Sequence, residues 1–227
     1  MSNVYSAHHR ALQDQHDSRR LADLLEAGFI VNQVDDNNKA FIQSRDMFFL
    51  STIDHKGQPT VSYKGGDPGF VRVIDAQTIA FPFYDGNGMF YSWGNIAGNA
   101  KIGMLFIDFV TPFRLRVQGT ASVDMNDPLM MEYVEAQGIV RVKVDAVWPN
   151  CPRYVHRYEK VKESRYVPRQ QCETPLAGWK RIDIVQPVYF VIESFAQLAA
   201  SLDADVGAMI DEAKRLGDLP ARFEKAA

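Results

Sequence analysis

Alternation of hydrophobic and polar residues is the clearest pattern in the middle of the chain. Within residues 113–124, Leu115 and Val117 alternate with arginine and glutamine, and within residues 140–147 valines alternate with charged residues. A period of two residues is typical of β-strands with one buried face and one exposed face. The pattern therefore predicts strands that each keep one side for solvent or a ligand.

Apolar runs that end at turn residues predict further strands. In chain order, the expected strands cover residues 47–53, 58–64, 70–74, 78–81, 101–108, 113–124 and 140–147. Residues 54–57, Asp-His-Lys-Gly, separate the first two strands and predict a hairpin. Seven short strands with turns between them predict a mainly β fold, an antiparallel barrel or sandwich with flanking helices.

Helical spacing of apolar residues predicts the remaining elements. Surface helices are expected within the first 45 residues, with a break at Gly28, and two more over residues 89–97 and 128–137. An irregular, proline-rich stretch over residues 149–187 is followed by a strand at 188–195 and an amphipathic helix at 197–216. We therefore expect one structural domain with three parts: a helical extension (1–45), the barrel (46–195) and a C-terminal helix (196–227).

Composition narrows the class of protein. The 227 residues are 46% hydrophobic and carry a net charge of -3, with basic and acidic residues interleaved, which argues against a nucleic-acid partner. No apolar run reaches the roughly 20 residues that a bilayer span requires, so no membrane segment is expected. A polar N-terminus and only two cysteines, Cys151 and Cys172, predict a cytoplasmic protein with free thiols; a disulfide between them is the alternative.

Two segments near the predicted hairpin and helix could bind an anion. Ser62 and Lys64 share a strand face beside two glycines, where a lysine suits a phosphate; the alternative is a solvated lysine before a loop. The glycine-rich turn at residues 84–95 opens a predicted helix, and helix N-termini attract anions. The alternative there is an ordinary helix with Asn87 as its N-cap.

A third candidate lies on the strand at residues 113–124. Arg114 and Arg116 share one face, and guanidinium groups bind anions or ring edges bidentately; a solvated edge strand would alternate in the same way. Gly119 favours a ligand, because glycine weakens a strand unless something packs closely against it. The five histidines lack metal-site spacing, so no metal is expected, and no nucleophile elbow, P-loop or dinucleotide-binding fingerprint is present.

The order of these features resembles the pyridoxamine 5'-phosphate oxidase-like, FMN-binding split-barrel family. The resemblance covers residues 46–154 and rests on the segments FFLSTIDHKGQPTVSYKGG, PGFVRV, TIAFPFYDGNGMFYSWGNI, KIGMLFIDF, FRLRVQG and NCPRY. It implies a six-stranded antiparallel split barrel that forms a homodimer, with FMN held in grooves at the dimer interface.

The resemblance also implies which residues bind FMN. Lys64 matches the family's strand-borne lysine near the flavin and phosphate, and residues 87–95 match the turn that holds the phosphate. Arg116 and Gly119 match an Arg-x-x-Gly strand beside the flavin ring, and the NCPRY segment is expected to reach the partner subunit's site. The implied cofactor residues are Ser62, Lys64, Asn87, Ser92, Asn95, Arg114, Arg116, Gly119, Arg153 and Tyr154.

The activity implied is that of an FMN-dependent oxidoreductase with an unidentified small-molecule substrate or electron donor. Two departures argue against vitamin B6 oxidation itself. Phe-Tyr-Ser stands at residues 90–92 in place of a serine-arginine-lysine run, and Trp179 is followed by Lys-Arg-Ile-Asp in place of an Arg-x-His motif. The alternatives are a flavin-binding sensor, carrier or store without turnover, and a split barrel that binds the deazaflavin F420 or haem.

Overall fold

The computed structural model describes residue 2 and residues 4–181 of the chain. The chain divides into two compact units, Met1–Glu173 and Thr174–Ala227, and the described part of the second contains one 3₁₀ turn, Gly178–Arg181. The strand expected at 188–195 and the helix expected at 197–216 lie outside the described residues, as does the C-terminal part assigned to 196–227.

The first unit combines a sheet with four helices among the described residues. The strands are β1 (Met47–Ile53), β2 (Pro59–Gly65), β3 (Arg72–Asp75), β4 (Thr78–Phe83), β5 (Lys101–Asp108), β6 (Phe113–Asp124) and β7 (Gly138–Asn150). The helices are α1 (Ala7–Gln15), α2 (Arg19–Phe29), α3 (Asp36–Gln43) and α4 (Tyr91–Gly98). None of the described helices combines the length and the apolar character that a membrane span requires.

All strand pairs in the sheet are antiparallel, in the order β2-β1-β5-β6-β7-β4-β3. This architecture confirms the predicted mainly β, split-barrel class. Three strands, β1, β5 and β6, begin and end at the predicted residues. The described sheet has seven strands where the resemblance implies six, and the four-residue β3 lies at one edge.

The core lies inside the curled sheet. Phe48 of β1 packs against Phe81 of β4, with ring centres 5.0 Å apart, and against Phe106 of β5, with centres 5.1 Å apart. All three side chains are buried. Because β1 and β4 are distant in the strand order, their contact requires the sheet to curl around one shared core.

Two helix predictions are wrong in detail. The α2 helix continues through Gly28 to Phe29 instead of breaking there. The segment 128–137 forms only a 3₁₀ turn, Pro128–Glu132, because Glu135 adopts a φ of +57° that a right-handed helix excludes. Tyr133 is anchored instead to the loop between β2 and β3, since its hydroxyl donates to the Phe70 carbonyl oxygen at 3.0 Å.

The two cysteines are free thiols. Cys151 and Cys172 are both exposed and neither forms a disulfide, so the alternative of a bond between them is wrong.

Gly119 lies at a β-bulge where β6 and β7 approach each other closely. The register between these strands shifts between Gln118 and Gly119. A Cβ atom at position 119 would lie 2.5 Å from Val142 Cγ1 and 2.6 Å from the Lys143 carbonyl oxygen. The packing of the two strands therefore requires glycine here, whatever else this position does.

We expect Gly119→Ala to lower the free energy of unfolding by about 1–3 kcal/mol, because the backbone of β7 must move to admit the methyl group. Urea denaturation measures this change. Gly103→Ala on β5 is the matched control, since a Cβ there would lie 3.7 Å from its nearest neighbour, Ser51 Cβ. Equal losses in the two variants would contradict the packing explanation.

Candidate functional site

A groove of about 780 Å³ opens between the edge strand β2, the glycine-rich turn before α4 and the segment that follows β7. Sites for small molecules commonly measure about 300–1,000 Å³. Ser62 and Lys64 from β2, Asn87 from the turn and Ser92 from α4 all line the groove. The structure thus brings four of the ten expected cofactor residues together.

The register between β1 and β2 turns two polar side chains toward this groove. Ser62 pairs with Leu50 and Lys64 pairs with Phe48, and both partners on β1 are core residues. Side chains of directly paired residues point to the same side of a sheet. Since β2 is an edge strand of the described sheet, Ser62 and Lys64 extend the core face beyond the core and into the groove.

Lys64 is a half-buried cation. Its Nζ donates to Ser92 Oγ at 3.3 Å, and Ser92 Oγ lies 3.3 Å from Ser62 Oγ. The same Nζ lies 5.7 Å from the centre of the Phe83 ring. Burial lowers the pKa of Lys64 below its ordinary value, and no carboxylate pairs with it among the described residues. An ammonium group in this state favours an anionic ligand.

The N-terminus of α4 contributes to the same groove. Phe90 precedes the helix with a φ of +48°, a strained conformation for an aromatic residue and one that often marks functional sites. No side chain caps the helix, and Tyr91 and Ser92 of its first turn line the groove. Asn87 as the N-cap is therefore wrong, and its Oδ1 accepts instead from the Met89 backbone N–H at 3.1 Å.

Asn95 has a different place from the other residues of that segment. It does not line the groove. Its Nδ2 donates to Thr52 Oγ1 at 3.0 Å, and Thr52 Oγ1 lies 2.9 Å from Thr60 Oγ1. Asn95 and Thr52 are buried, so this chain of hydrogen bonds ties α4 to β1 and β2. A direct contact between Asn95 and a cofactor stays a prediction.

The arginines of β6 point away from the core, because they alternate with the buried Leu115 and Val117. Arg116 is exposed. The guanidinium group of Arg114 donates to the Cys151 carbonyl oxygen, and its buried Nε has no partner among the described residues. The expected cofactor residues that do not line this groove are Asn95, Arg114, Arg116, Gly119, Arg153 and Tyr154, and their roles stay predictions.

Sequence reasoning missed two parts of the groove wall. The first is aromatic: Phe83, Tyr84 and Phe90 line the groove, and burial raises the pKa of Tyr84 to about 12, which keeps its phenol a hydrogen-bond donor. Their clustering around the glycine-rich turn was a usable signal. The second part is charged and comes from Lys160 and Arg169, in a segment without any periodic pattern.

The described residues also bear on the class of site. No group of three His, Cys, Asp or Glu side chains in this part of the chain is arranged to hold a metal ion. Around Lys64 the groove offers a half-buried ammonium, the hydroxyls of Ser62 and Ser92, the N-terminus of α4 and aromatic rings. These groups suit a ligand that joins an anionic end to a flat apolar ring.

Comparison with known protein families identifies the chain's relatives. The sequence model of the family described as "Pyridoxamine 5'-phosphate oxidase" matches residues 34–154, which is more than half of the chain. The chain belongs to the pyridoxamine 5'-phosphate oxidase family. The resemblance inferred from the sequence is confirmed. No curated protein matches the chain.

Solved structures similar to this family member include HupZ from Group A Streptococcus, at 16% identity and a TM-score of 0.42, over 55% of this chain and 99% of that one. An FMN-binding protein from Syntrophomonas wolfei is similar at 14% identity and a TM-score of 0.38, over 63% and 96%. The conserved hypothetical protein Rv2991 from Mycobacterium tuberculosis is similar at 15% identity and a TM-score of 0.41, over 60% and 96%.

Proposed function

We propose that this member of the pyridoxamine 5'-phosphate oxidase family is an FMN-dependent oxidoreductase that binds the FMN phosphate in the groove beside β2. The observation that carries the proposal is the half-buried ammonium of Lys64, which has no carboxylate partner among the described residues. A phosphate would form a charge-assisted hydrogen bond with Lys64 and would benefit from the N-terminus of α4.

The groove residues fit both ends of FMN. Ser62 and Ser92 offer hydroxyl donors next to Lys64, and aromatic side chains line the groove near them. Bound FMN would supply the hydride and electron transfer, which the side chains of this groove do not provide. The protein's own part is to bind the phosphate, to exclude water from the ring and to offer the neutral phenol of Tyr84 as a donor.

Two further parts of the proposal follow from the same residues. FMN is favoured over FAD because the cation and helix terminus suit a terminal phosphate, and the sequence shows no second site for an adenine. Oxidation of pyridoxamine 5'-phosphate itself is not proposed, since Phe-Tyr-Ser stands at residues 90–92. The exposed free thiols of Cys151 and Cys172 support the cytoplasm as the compartment.

A second copy of the chain is the proposed partner. On the outer face of the sheet, Tyr63, Phe49, Leu105 and Arg116 form a row of directly paired residues, three of them hydrophobic. Tyr63 is 62% exposed in the single subunit and also borders the groove, whereas Phe49 and Leu105 are half-buried. An exposed apolar patch of this kind marks a protein interface. A homodimer would cover it.

Arginines of β6 and of the segment after β7 support a shared site. Arg114, Arg116 and Arg153 have no carboxylate partner among the described residues. Cations placed at the edge of a dimer interface would be available to the cofactor phosphate or ring oxygens of the partner subunit. This arrangement would give a role to the expected residues that do not line the groove of their own subunit.

We expect the purified protein to show flavin absorption bands that bleach on anaerobic mixing with NADH or NADPH, and to release FMN on heating, as identified by mass. Flavin bands inert to every donor would instead make the protein a flavin carrier or sensor. A Soret band or a deazaflavin mass would place another cofactor in the groove. Protein that takes up no flavin on reconstitution would contradict the proposal.

The affinity for FMN should fall as the pH rises through the pKa of Lys64, because only the protonated ammonium attracts phosphate. Burial lowers that pKa in the free protein, and a bound phosphate raises it again. Lys64→Arg stays charged, so its affinity should not show this decrease. Fluorescence titrations from about pH 7 to about pH 10 measure the dissociation constant for FMN of both proteins. The flavin's own titration affects both proteins equally and therefore cancels in the comparison. Identical profiles would remove Lys64 from the site.

We expect Leu105→Glu to dissociate the dimer, because a carboxylate at the centre of the outer face cannot be buried against a second copy without cost. The molar mass measured by light scattering should fall from about twice 25.7 kDa to 25.7 kDa, and the affinity for FMN should fall with it. Met131→Glu is the control, at a residue that is 94% exposed in the turn after β6. A parent protein that is monomeric yet binds FMN tightly would contradict the shared site.

A further inference from the structure

Residues 151–173, here named the strap, follow β7 and run along the groove. The strap contains no helix or strand, apart from one isolated bridge between Arg169 and Cys172. None of its residues is buried. It nevertheless supplies part of the groove wall, including Lys160 and Arg169. Because it has no apolar core of its own, contacts with the barrel hold it in place: the Tyr158 ring packs 5.4 Å from the Phe109 ring, and polar contacts hold the part beside the groove.

A chain of alternating charges, here named the rim chain, joins the strap to the hairpin. Lys160 Nζ lies 2.9 Å from Asp46 Oδ2 and 3.5 Å from Glu163 Oε1. Arg169 Nη2 lies 3.1 Å from Glu163 Oε2 and 2.6 Å from Asp67 Oδ1, and Arg169 Nε donates to Asp67 Oδ2 at 2.7 Å. All five side chains line the groove.

The rim chain lies at the end of the hairpin that also carries Lys64. Asp46 directly precedes β1, and Asp67 follows the glycine pair at the end of β2. These two residues lie at the same end of the hairpin, where the Gly66 N–H donates to the Asp46 carbonyl oxygen at 2.9 Å. Lys64 is the next-to-last residue of β2, three positions before Asp67. The strap is thus fastened at the end of the groove that holds the half-buried cation.

The contact between the strap and the hairpin is reversible, because the rim chain consists of ion pairs at the protein surface. Ion pairs at a protein surface are weak and screened by salt, although a bidentate arginine within a network is stronger than an isolated pair. Hydrogen bonding to Asp67 raises the pKa of Arg169, so its guanidinium group stays charged over the ordinary pH range. A segment without buried residues opens at a smaller free-energy cost than the barrel beneath it.

We propose that the strap is a lid on the groove, closed by the rim chain, and that a ligand leaves the groove only when this chain opens. The identity of that ligand as FMN rests on the proposed function. The opening of the strap does not, because it is a property of the free protein.

Limited digestion with trypsin tests the lid without any cofactor. The strap contains cleavage sites at Lys160, Lys162 and Arg165, and cleavage of a folded protein follows the population of the open form. Asp67→Asn keeps these sites and removes one end of the rim chain, so cleavage within the strap should become about two- to fivefold faster. Added salt should accelerate cleavage of the parent protein in the same direction.

The matched control is Asp145→Asn. Asp145 of β7 pairs with Lys101 of β5, with Nζ and Oδ2 2.8 Å apart, and neither residue lines the groove. Cleavage of the strap should not change in this variant. Equal acceleration in both variants, or no acceleration in Asp67→Asn, would overturn the lid.

The release rate of FMN, followed by the recovery of its fluorescence, gives a second readout. By charge alone, Asp67→Asn should tighten the binding of an anion and slow its release, whereas the lid predicts release about two- to fivefold faster. Faster cleavage with unchanged or slower release would overturn the lid as a gate. Faster cleavage in a protein that binds no FMN would overturn the proposed function and still support a salt-sensitive cover over the groove.

Discussion

The pairing register between β1 and β2 connects the stability of the core to the chemistry of the groove. Phe48 and Leu50 fill the inside of the curled sheet, and their partners on β2 are Lys64 and Ser62. A slip of one residue would move Tyr63 onto the core face and turn the lysine to the outside. The apolar burial that fixes β1 therefore also offsets the cost of holding a half-buried ammonium at the sheet edge.

Much of the fold was predictable because its signals are local. Alternation and turn residues gave the bounds of β1, β5 and β6, and they brought Ser62 and Lys64 onto one face. The segment 128–137 failed because its structure depends on a distant contact. Tyr133 is anchored by the Phe70 carbonyl oxygen, 63 positions earlier, and Glu135 adopts a left-handed conformation. No helical spacing within the segment reveals either constraint.

The candidate site was predictable only in part, for two physical reasons. Alternation showed that Arg114 and Arg116 share a face, but it could not show that the inner face is already filled and that they point outward. The strap was missed because its contacts are ionic and distant: Lys160 pairs with Asp46 across 114 positions, and Arg169 pairs with Asp67 across 102. Such pairs leave no periodic pattern in the sequence.

The two walls of the groove differ in the kind of force that holds them. Buried hydrogen bonds from Asn95 to Thr52 fasten α4 to the barrel, so Ser92 and Lys64 keep their mutual geometry. Where the strap on the other side borders the groove, surface ion pairs hold it, and these respond to salt and open at little cost. An apolar lid would bind more firmly but would exchange ligand slowly. With a charged lid, the wall that carries Lys64 determines which ligand binds, and the strap determines how long that ligand stays bound.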